Sequence, residues 1–225
     1  MNANLNGDIS QPAVMDSTAM EWQRSPAEGI WRKRLEHVGS AEAGRVTSLV
    51  RFDPGAHFPF HGHPDGEELF VLEGVFQDEH GNYGPGTFTL SPDGSDHAPW
   101  SDEGCLIFVK LRQMPGGDRD TVVADSAAMP WTQTGEGREI KVLYAQSGYD
   151  EEIRLVRLAP GTQVPHHEHP GGEEVFVISG EIADEAGRYG AGTWFRLPDG
   201  SAHAPWSDPG CLLLVKVGGL PRDGA

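Results

Sequence analysis

Three histidines and a glutamate at fixed spacing stand out in the sequence as residues that could hold a metal ion. His61 and His63 are two residues apart, Glu67 follows four residues later, and His97 lies further along the chain. Side chains two apart point to the same face of a β-strand, and Glu67 has the same parity as the two histidines. Imidazole and carboxylate together suit Fe, Mn, Ni, Cu or Zn, whereas Ca and Mg prefer shells of oxygen alone.

The same four residues recur in the second half of the chain at a constant distance of 106 residues. A scattered group of surface or core histidines would not be repeated intact, so the repeat predicts two metal sites. The predicted ligands are His61, His63, Glu67 and His97 in the first site and His167, His169, Glu173 and His203 in the second.

The spacing leaves the metal and the openness of its coordination shell undecided. Four protein ligands leave one or two positions free on an octahedral metal, where a substrate or dioxygen can bind. On zinc the same four ligands can complete a tetrahedron, which is typical of a structural or sensory site. We expect two divalent transition-metal ions, with zinc or iron first and nickel or manganese as alternatives.

The remaining acidic and histidine candidates are assigned by parity and by the repeat. Glu68 and Glu174 have the opposite parity from the predicted ligands and should face away from the metals. His166 stands where the first half has Phe60, so we interpret it as a neighbour of the second site rather than a ligand. The other histidines have no repeated partner and are predicted to be solvated: His37, His57 and His80.

The elements around the ligands have the character of short β-strands. Residues 45–52 place 46, 48, 50 and 52 on one face, and Pro54-Gly55 ends the run in a turn. The 30 glycines and 17 prolines suit many tight turns, and no stretch has sustained helical periodicity. Two histidines on one strand and a third on a later strand converge only in a closed or nearly closed barrel. The sequence therefore predicts an all-β fold of sandwich or barrel type.

The length and the repeat together predict two small domains. A chain of 225 residues could form one large domain or two small ones, and the repeated motifs decide for two. We place the first domain at 1–115, with residues 1–12 as a flexible leader, and the second at 116–225.

Charge and cysteine content exclude several classes of function. The formal net charge of −17 disfavours nucleic acid and membrane surfaces as partners. Two cysteines are too few for a secreted disulfide scaffold, and both precede apolar runs, so we predict that they are buried on strands. The N-terminus has neither the basic nor the apolar region of a signal peptide, and the longest apolar run is far too short to span a bilayer. We expect a soluble cytoplasmic protein, monomeric or homodimeric.

The motifs around the ligands carry a family resemblance. Gly55-x5-His61-x-His63-x3-Glu67-x6-Gly74 and residues 86–99 resemble the two cupin motifs, and both recur in the second half. The runs Gly-Glu-Glu-x-Phe-Val and Pro-Asp-Gly-Ser-x-His-Ala-Pro-Trp-Ser resemble more narrowly the cupin domain of ChrR anti-sigma factors. The resemblance implies two tandem cupin barrels of the double-stranded β-helix type, related by internal duplication, each with one of the two predicted ligand sets as its metal shell.

The resemblance also implies two alternative roles. In the ChrR family the cupin is a sensory domain for singlet-oxygen or peroxide stress, which implies transcription regulation and a sigma factor as partner. The chain lacks the Cys-x-x-Cys and the zinc-binding N-terminal domain that hold the sigma factor in that family, so we do not expect tight sigma binding by that route. Similar cupins include non-haem iron dioxygenases that act on small diketones or hydroxyketones, which implies a small oxygenated ligand at the metal.

Overall fold

The chain folds almost entirely into β-strands, as its sequence predicts. A computed structural model describes residues 4–40 and 43–220. In this part of the chain the helical segments are two short 3-10 turns, Ser17–Ala19 and Ser126–Ala128, and no helix is long and apolar enough to cross a membrane.

Twenty-five strands are numbered in chain order. The first thirteen are β1 (Ala13–Asp16), β2 (Gln23–Arg24), β3 (Ile30–Val38), β4 (Arg45–Phe52), β5 (Ala56–His57), β6 (His61–Gly62), β7 (Glu67–Gly74), β8 (Phe76–Asp78), β9 (Gly81–Tyr83), β10 (Thr87–Ser91), β11 (Asp96–His97), β12 (Trp100–Ser101) and β13 (Cys105–Leu111). The others are β14 (Val122–Asp125), β15 (Thr132–Gly135), β16 (Arg138–Ala145), β17 (Glu152–Leu158), β18 (Thr162–Gln163), β19 (His167–His169), β20 (Glu173–Ala183), β21 (Arg188–Gly190), β22 (Thr193–Leu197), β23 (Ser201–His203), β24 (Trp206–Ser207) and β25 (Cys211–Val217).

The strands form two compact units, each built from two stretches of the chain. The first contains residues 4–7 and 20–128, and the second contains residues 8–19 and 129–220. Strand β14 pairs with β10 in the first unit, whereas β1 pairs with β22 in the second. The bounds predicted from the sequence, 1–115 and 116–225, differ from these units at two segments. Residues 8–19 belong to the second unit, and residues 116–128 belong to the first.

The predicted leader is attached by hydrogen bonds over its described part. Leu5 forms an antiparallel bridge with His37, and the Asn6 amide donates to the Leu35 carbonyl at 2.8 Å. In the second unit the Arg196 guanidinium donates to the carbonyl oxygen of Asp8 at 2.8 Å. Residues 1–3 of the predicted leader lie outside the described residues.

The first unit is a barrel of antiparallel strands. Its main sheet has the order β14-β10-β7-β13-β4-β3-β2, and a second sheet has the order β5-β12-β8-β9. A third pair, β6 with β11, carries two of the predicted ligands. Residues 46, 48, 50 and 52 of β4 share one face because side chains alternate along a strand. This face points into the barrel, where it contributes to an apolar core with β7, β8 and β13.

The second unit repeats this plan. Its main sheet has the order β1-β22-β20-β25-β17-β16-β15, and β20 runs on to pair with β21 and β24. The separate pair β19 with β23 corresponds to β6 with β11. Cys105 and Cys211 are free and buried in the two cores, and burial raises the pKa of the Cys105 thiol to about 11. The prediction that both cysteines pack on strands is therefore confirmed.

Candidate metal centres

The first unit brings its four predicted ligands together at one end of the barrel. His61 and His97 are paired across β6 and β11, His63 follows β6 directly, and Glu67 is the first residue of β7. One ligand atom from each side chain lies within 4.8 Å of the others. The three imidazole rings have centroid separations of 4.5 to 5.0 Å.

Buried nitrogen atoms of this cluster have no hydrogen-bond partner within the protein. Nε2 of His63 and Nε2 of His97 are both buried without a partner, and each lies 3.7 Å from Oε1 of Glu67. Buried polar atoms are normally paired, so two unpaired nitrogens directed at one carboxylate need a further partner. A divalent cation between them would provide it, and the residues present therefore fit a transition metal.

The opposite ring nitrogens are held by acceptors, which fixes the tautomer that a metal needs. Nδ1 of His61 lies 2.9 Å from the Pro59 carbonyl oxygen, and Nδ1 of His97 lies 3.2 Å from Oδ2 of Asp78. Nδ1 of His63 lies 3.0 Å from Oγ of Ser95, whose hydroxyl donates to the Pro92 carbonyl. Because each acceptor receives a hydrogen bond from a protonated Nδ1, the three Nε2 atoms keep their lone pairs.

Burial sets the protonation of the cluster. It lowers the pKa of His63 to about 3, with the neighbouring His97 and His61 adding to the effect. It raises the pKa of the Glu67 carboxyl to about 6. Burial also opposes protonation of His97, but the hydrogen bond to Asp78 and the negative charges of Glu67, Asp78 and Glu79 together outweigh it and raise the pKa of His97. Near neutral pH the cluster thus offers neutral imidazole at His63 and a carboxylate at Glu67.

We expect the metal affinity of the first site to fall as the pH decreases through about 6. Below the pKa of Glu67 the metal must displace a proton, which costs about tenfold in apparent affinity per pH unit for each proton released. His97, with its raised pKa, adds to this slope. Competition with a chromophoric chelator across this pH range measures it. In a Glu67→Gln variant the slope should be flatter, and an unchanged slope would contradict the role of the carboxylate.

The second unit gathers its three histidines in the same way. The ligand atoms of His167, His169 and His203 lie within 4.8 Å of one another. Glu173 does not join this mutual set, but its Oε2 lies 3.6 Å from Nδ1 of His169 and 3.8 Å from Nε2 of His203. Burial raises the pKa of Glu173 to about 7, opposed by the charges of Arg154 and Arg138, and lowers the pKa of His169 to about 4.

The ring of His169 is oriented differently from that of its counterpart, His63. It turns Nδ1 towards Glu173, and its Nε2 is buried without a partner. Oγ of Ser201, which corresponds to Ser95, is also buried without a partner. A half-turn of the ring about its Cβ–Cγ bond would direct Nε2 towards the cluster, as His63 does in the first site. The two buried atoms without partners, Nε2 of His169 and Oγ of Ser201, favour the turned ring.

Two aspartates orient histidines of the sites, and neither was predicted from the sequence. Asp78 accepts from Nδ1 of His97, and its other oxygen accepts from the Tyr83 hydroxyl at 3.1 Å. Asp184 repeats both contacts, with His203 at 3.1 Å and Tyr189 at 3.2 Å. The signal was present, because the two aspartates are separated by the same 106 residues as the ligands.

We expect Asp78→Asn to weaken metal binding at the first site by about 10- to 100-fold. An amide at this position can donate to Nδ1, which favours the tautomer with a proton on the metal-facing Nε2. Chelator competition on the variant measures the loss, and Asp184→Asn should produce it at the second site. Glu79→Gln is the matched control, because Glu79 accepts from the Ala98 amide and contacts no ring nitrogen in the described contacts. Equal affinities for Asp78→Asn and Glu79→Gln would contradict this role.

The other acidic and histidine residues fall outside the clusters. Glu68 and Glu174 are buried but belong to neither group of potential ligands, in keeping with their parity. His166 is exposed and also lies outside the second group. The prediction that His37 is solvated is wrong. Its side chain is buried next to the Leu5 bridge, and its Nε2 lies 3.0 Å from the Ser40 carbonyl oxygen.

The cavities next to the two histidine clusters differ greatly in volume. The first unit has a cavity of about 350 Å³, bordered by His61, His63 and His97 and walled largely by apolar side chains. The corresponding space in the second unit is about 40 Å³. Strand register identifies the cause, because Arg154 occupies the position of Ser48, and Arg138 occupies that of Ile30. Both arginines line and fill the second space.

Comparisons with known proteins agree with this architecture. Residues 10–115 and 119–221 each match the family model of the ChrR cupin-like domain. A Nostoc punctiforme protein provisionally named a dioxygenase has a similar structure, with a TM-score of 0.75 at 18% identity, covering 96% of this chain and 84% of that one.

Two further solved structures are similar. Ylba from E. coli has a TM-score of 0.71 at 15% identity, covering 96% of this chain and 94% of that one. A Bacillus subtilis oxalate decarboxylase variant with a two-residue deletion has a TM-score of 0.67 at 14% identity, covering 95% and 78%. At these identities the similarity establishes the fold alone. No curated protein sequence matches the chain.

Proposed function

The chain belongs to the ChrR cupin-like domain family. Within this family, we propose that its first unit is a metal-dependent dioxygenase that acts on a small oxygenated molecule such as a diketone or hydroxyketone. The observation that carries the proposal is the cavity of about 350 Å³ beside the first histidine cluster. Binding sites for small molecules typically have volumes of about 300 to 1,000 Å³ and largely apolar walls.

The residues of the first unit have distinct parts in this function. His61, His63, His97 and Glu67 would hold the metal, and Asp78 keeps the His97 ring in its orientation. A bound divalent transition metal would supply a Lewis acid and, as iron, a redox centre for dioxygen. The apolar part of the wall, which includes Phe58 and Phe76, would contact the apolar part of a bound molecule.

Oxygen uptake by the iron-loaded protein tests the proposal. Cleavage of a diketone by dioxygen places both oxygen atoms in the products, a carboxylic acid and a 2-oxoaldehyde, and needs no external reductant. When acetylacetone or a hydroxyketone is supplied, we expect one molecule of dioxygen to be consumed for each molecule of carboxylic acid formed. Absence of uptake with every candidate would overturn the proposal.

Stress sensing is a second candidate, favoured by the match of both halves to the ChrR cupin-like domain. The narrow second site supports it, because a site closed by Arg138 and Arg154 leaves little space for a substrate. In this role, oxidation of the protein would release metal without turnover. Treatment with peroxide or singlet oxygen, followed by measurement of free zinc, distinguishes sensing from catalysis.

A sigma factor is the partner that the family resemblance suggests for such a sensor. We propose that this chain alone does not bind one tightly, because its distinctive residues lie at the two metal clusters. The acidic surface would increase the association rate of a basic partner, but it would give little specificity for one partner over another. A pull-down with candidate sigma factors tests this, and stoichiometric binding would restore the regulatory role.

A further inference from the structure

Two arginines line the small cavity of the second unit beside its histidine cluster. Arg138 lies at the start of β16 and Arg154 within β17, and His167, His203 and Glu173 border the same cavity. The positive charges of both arginines act on the Glu173 carboxyl. Two cationic groups thus lie close to the predicted metal ligands, where a divalent cation would add further positive charge.

Arg154 has a buried donor without an acceptor. Its Nη1 donates to Oε1 of Glu152 at 3.0 Å, whereas its Nε is buried without a hydrogen-bond partner among the described residues. A guanidinium group has donors only, so the missing partner must be an acceptor. An acceptor bound in the cavity that Arg154 lines would supply the pairing that buried polar atoms normally have.

The guanidinium of Arg138 has no hydrogen-bond acceptor among the residues that the structure describes. The residue is half-buried, and burial together with the charge of Arg154 lowers the pKa of Arg138, opposed by the charge of Glu173. Charges removed from water are normally paired with a charge of opposite sign. Because a bound metal would take over the Glu173 carboxylate, the two arginines would then need an anion of their own.

The volume of the cavity sets the size of that anion. The cavity holds about 40 Å³, and one water molecule requires roughly 10–15 Å³, so there is room for about three or four heavy atoms. Planar oxyanions such as nitrate and hydrogen carbonate are of this size. Their oxygen atoms also match the parallel N–H groups of a guanidinium fork, which binds such groups through charge-assisted hydrogen bonds.

We propose that the second site binds its metal together with a small planar oxyanion, which accepts from Nε of Arg154 and lies against Arg138. Metal and oxyanion carry opposite charges and occupy the same enclosed space, so each should strengthen the binding of the other. The first unit has the uncharged residues Ile30 and Ser48 at the aligned positions, so its metal should bind independently of the oxyanion. The inference concerns the second unit and does not depend on catalysis by the first.

The zinc affinity of the second site, measured with and without nitrate, tests the inference without turnover. In a His97→Ala variant, whose first site should be empty, competition with a chromophoric chelator would compare nitrate with a large sulfonate at equal ionic strength. We expect saturating nitrate to raise zinc affinity at least about tenfold. Calorimetry on the unmodified protein with zinc in both sites should show one nitrate bound per chain.

Exchanging the two arginines for the residues of the first unit identifies the source of the effect. With Arg138→Ile and Arg154→Ser, zinc affinity at the second site should no longer depend on nitrate. Arg157→Met is the matched control, because Arg157 lies on the exposed face of β17, 4.3 Å from the centroid of the Trp131 ring, and its loss should leave the dependence unchanged.

Three results would overturn the inference. The first is a zinc affinity at the second site that does not respond to nitrate. The second is an equal response in the variant without Arg138 and Arg154. The third is an equal response in a His203→Ala variant, which should keep only the first site and should bind zinc equally well with nitrate and with sulfonate.

Discussion

Replacing His97 with alanine is expected to reduce the metal content of the protein from two ions per chain to one. His97 contributes a buried Nε2 that faces Glu67, and it is the ring that Asp78 holds. Without it the first site keeps two imidazoles and a carboxylate around an enlarged space, and metal affinity should fall by more than about 100-fold. Elemental analysis after gel filtration measures the content directly.

The repeat supplies the controls for this experiment. His203→Ala should empty the second site and leave the first, and the double variant should retain neither ion. His166→Ala should have no effect, because His166 is exposed and outside the second histidine group. A double variant that still carries two ions would show that the metals bind elsewhere.

Ser48→Arg is expected to close the first cavity and abolish ligand binding while both metals remain bound. Ser48 is buried in the cavity wall, and its equivalent in the narrow second unit is Arg154. A long side chain at this position would occupy the space of a ligand. We expect binding of acetylacetone, and any oxygen uptake, to fall at least about 100-fold, equivalent to about 2.7 kcal/mol.

Ser48→Ala is the matched control for the arginine substitution. The Ser48 hydroxyl is buried without a hydrogen-bond partner, so its removal should leave metal content and ligand affinity nearly unchanged. Arg154→Ser provides the reciprocal test, because it should widen the second space. Full ligand binding by Ser48→Arg would place the ligand outside the cavity and contradict the functional proposal.

The structure brings together the three histidines of each predicted set, and their ligation of a metal stays a prediction. The histidines lie on adjacent short strands whose pairing brings His61 opposite His97, as the barrel prediction required. The roles of Asp78 and Asp184 were harder to see. A carboxylate that orients an imidazole can come from any strand that passes behind the ring, and no spacing rule identifies that strand.

The unequal cavities could not be predicted from the repeat. Ser48 and Arg154 are separated by the usual 106 residues, but Ile30 and Arg138 are equivalent only through strand register, at a spacing of 108. Cavity volume depends on how a few side chains fill a closed space, and two arginines suffice to remove most of it. The identical ligand motifs in the two halves therefore gave no indication that the two cavities differ in volume.

The exchange of edge strands has a consequence for the order of events during synthesis. Strand β1 is synthesised roughly 180 residues before its partner β22, a separation that makes this pairing slow to form. The first unit can close as soon as β14 is made. The second unit must keep β1 unpaired until β22 has been translated, so its sheet is completed after that of the first unit.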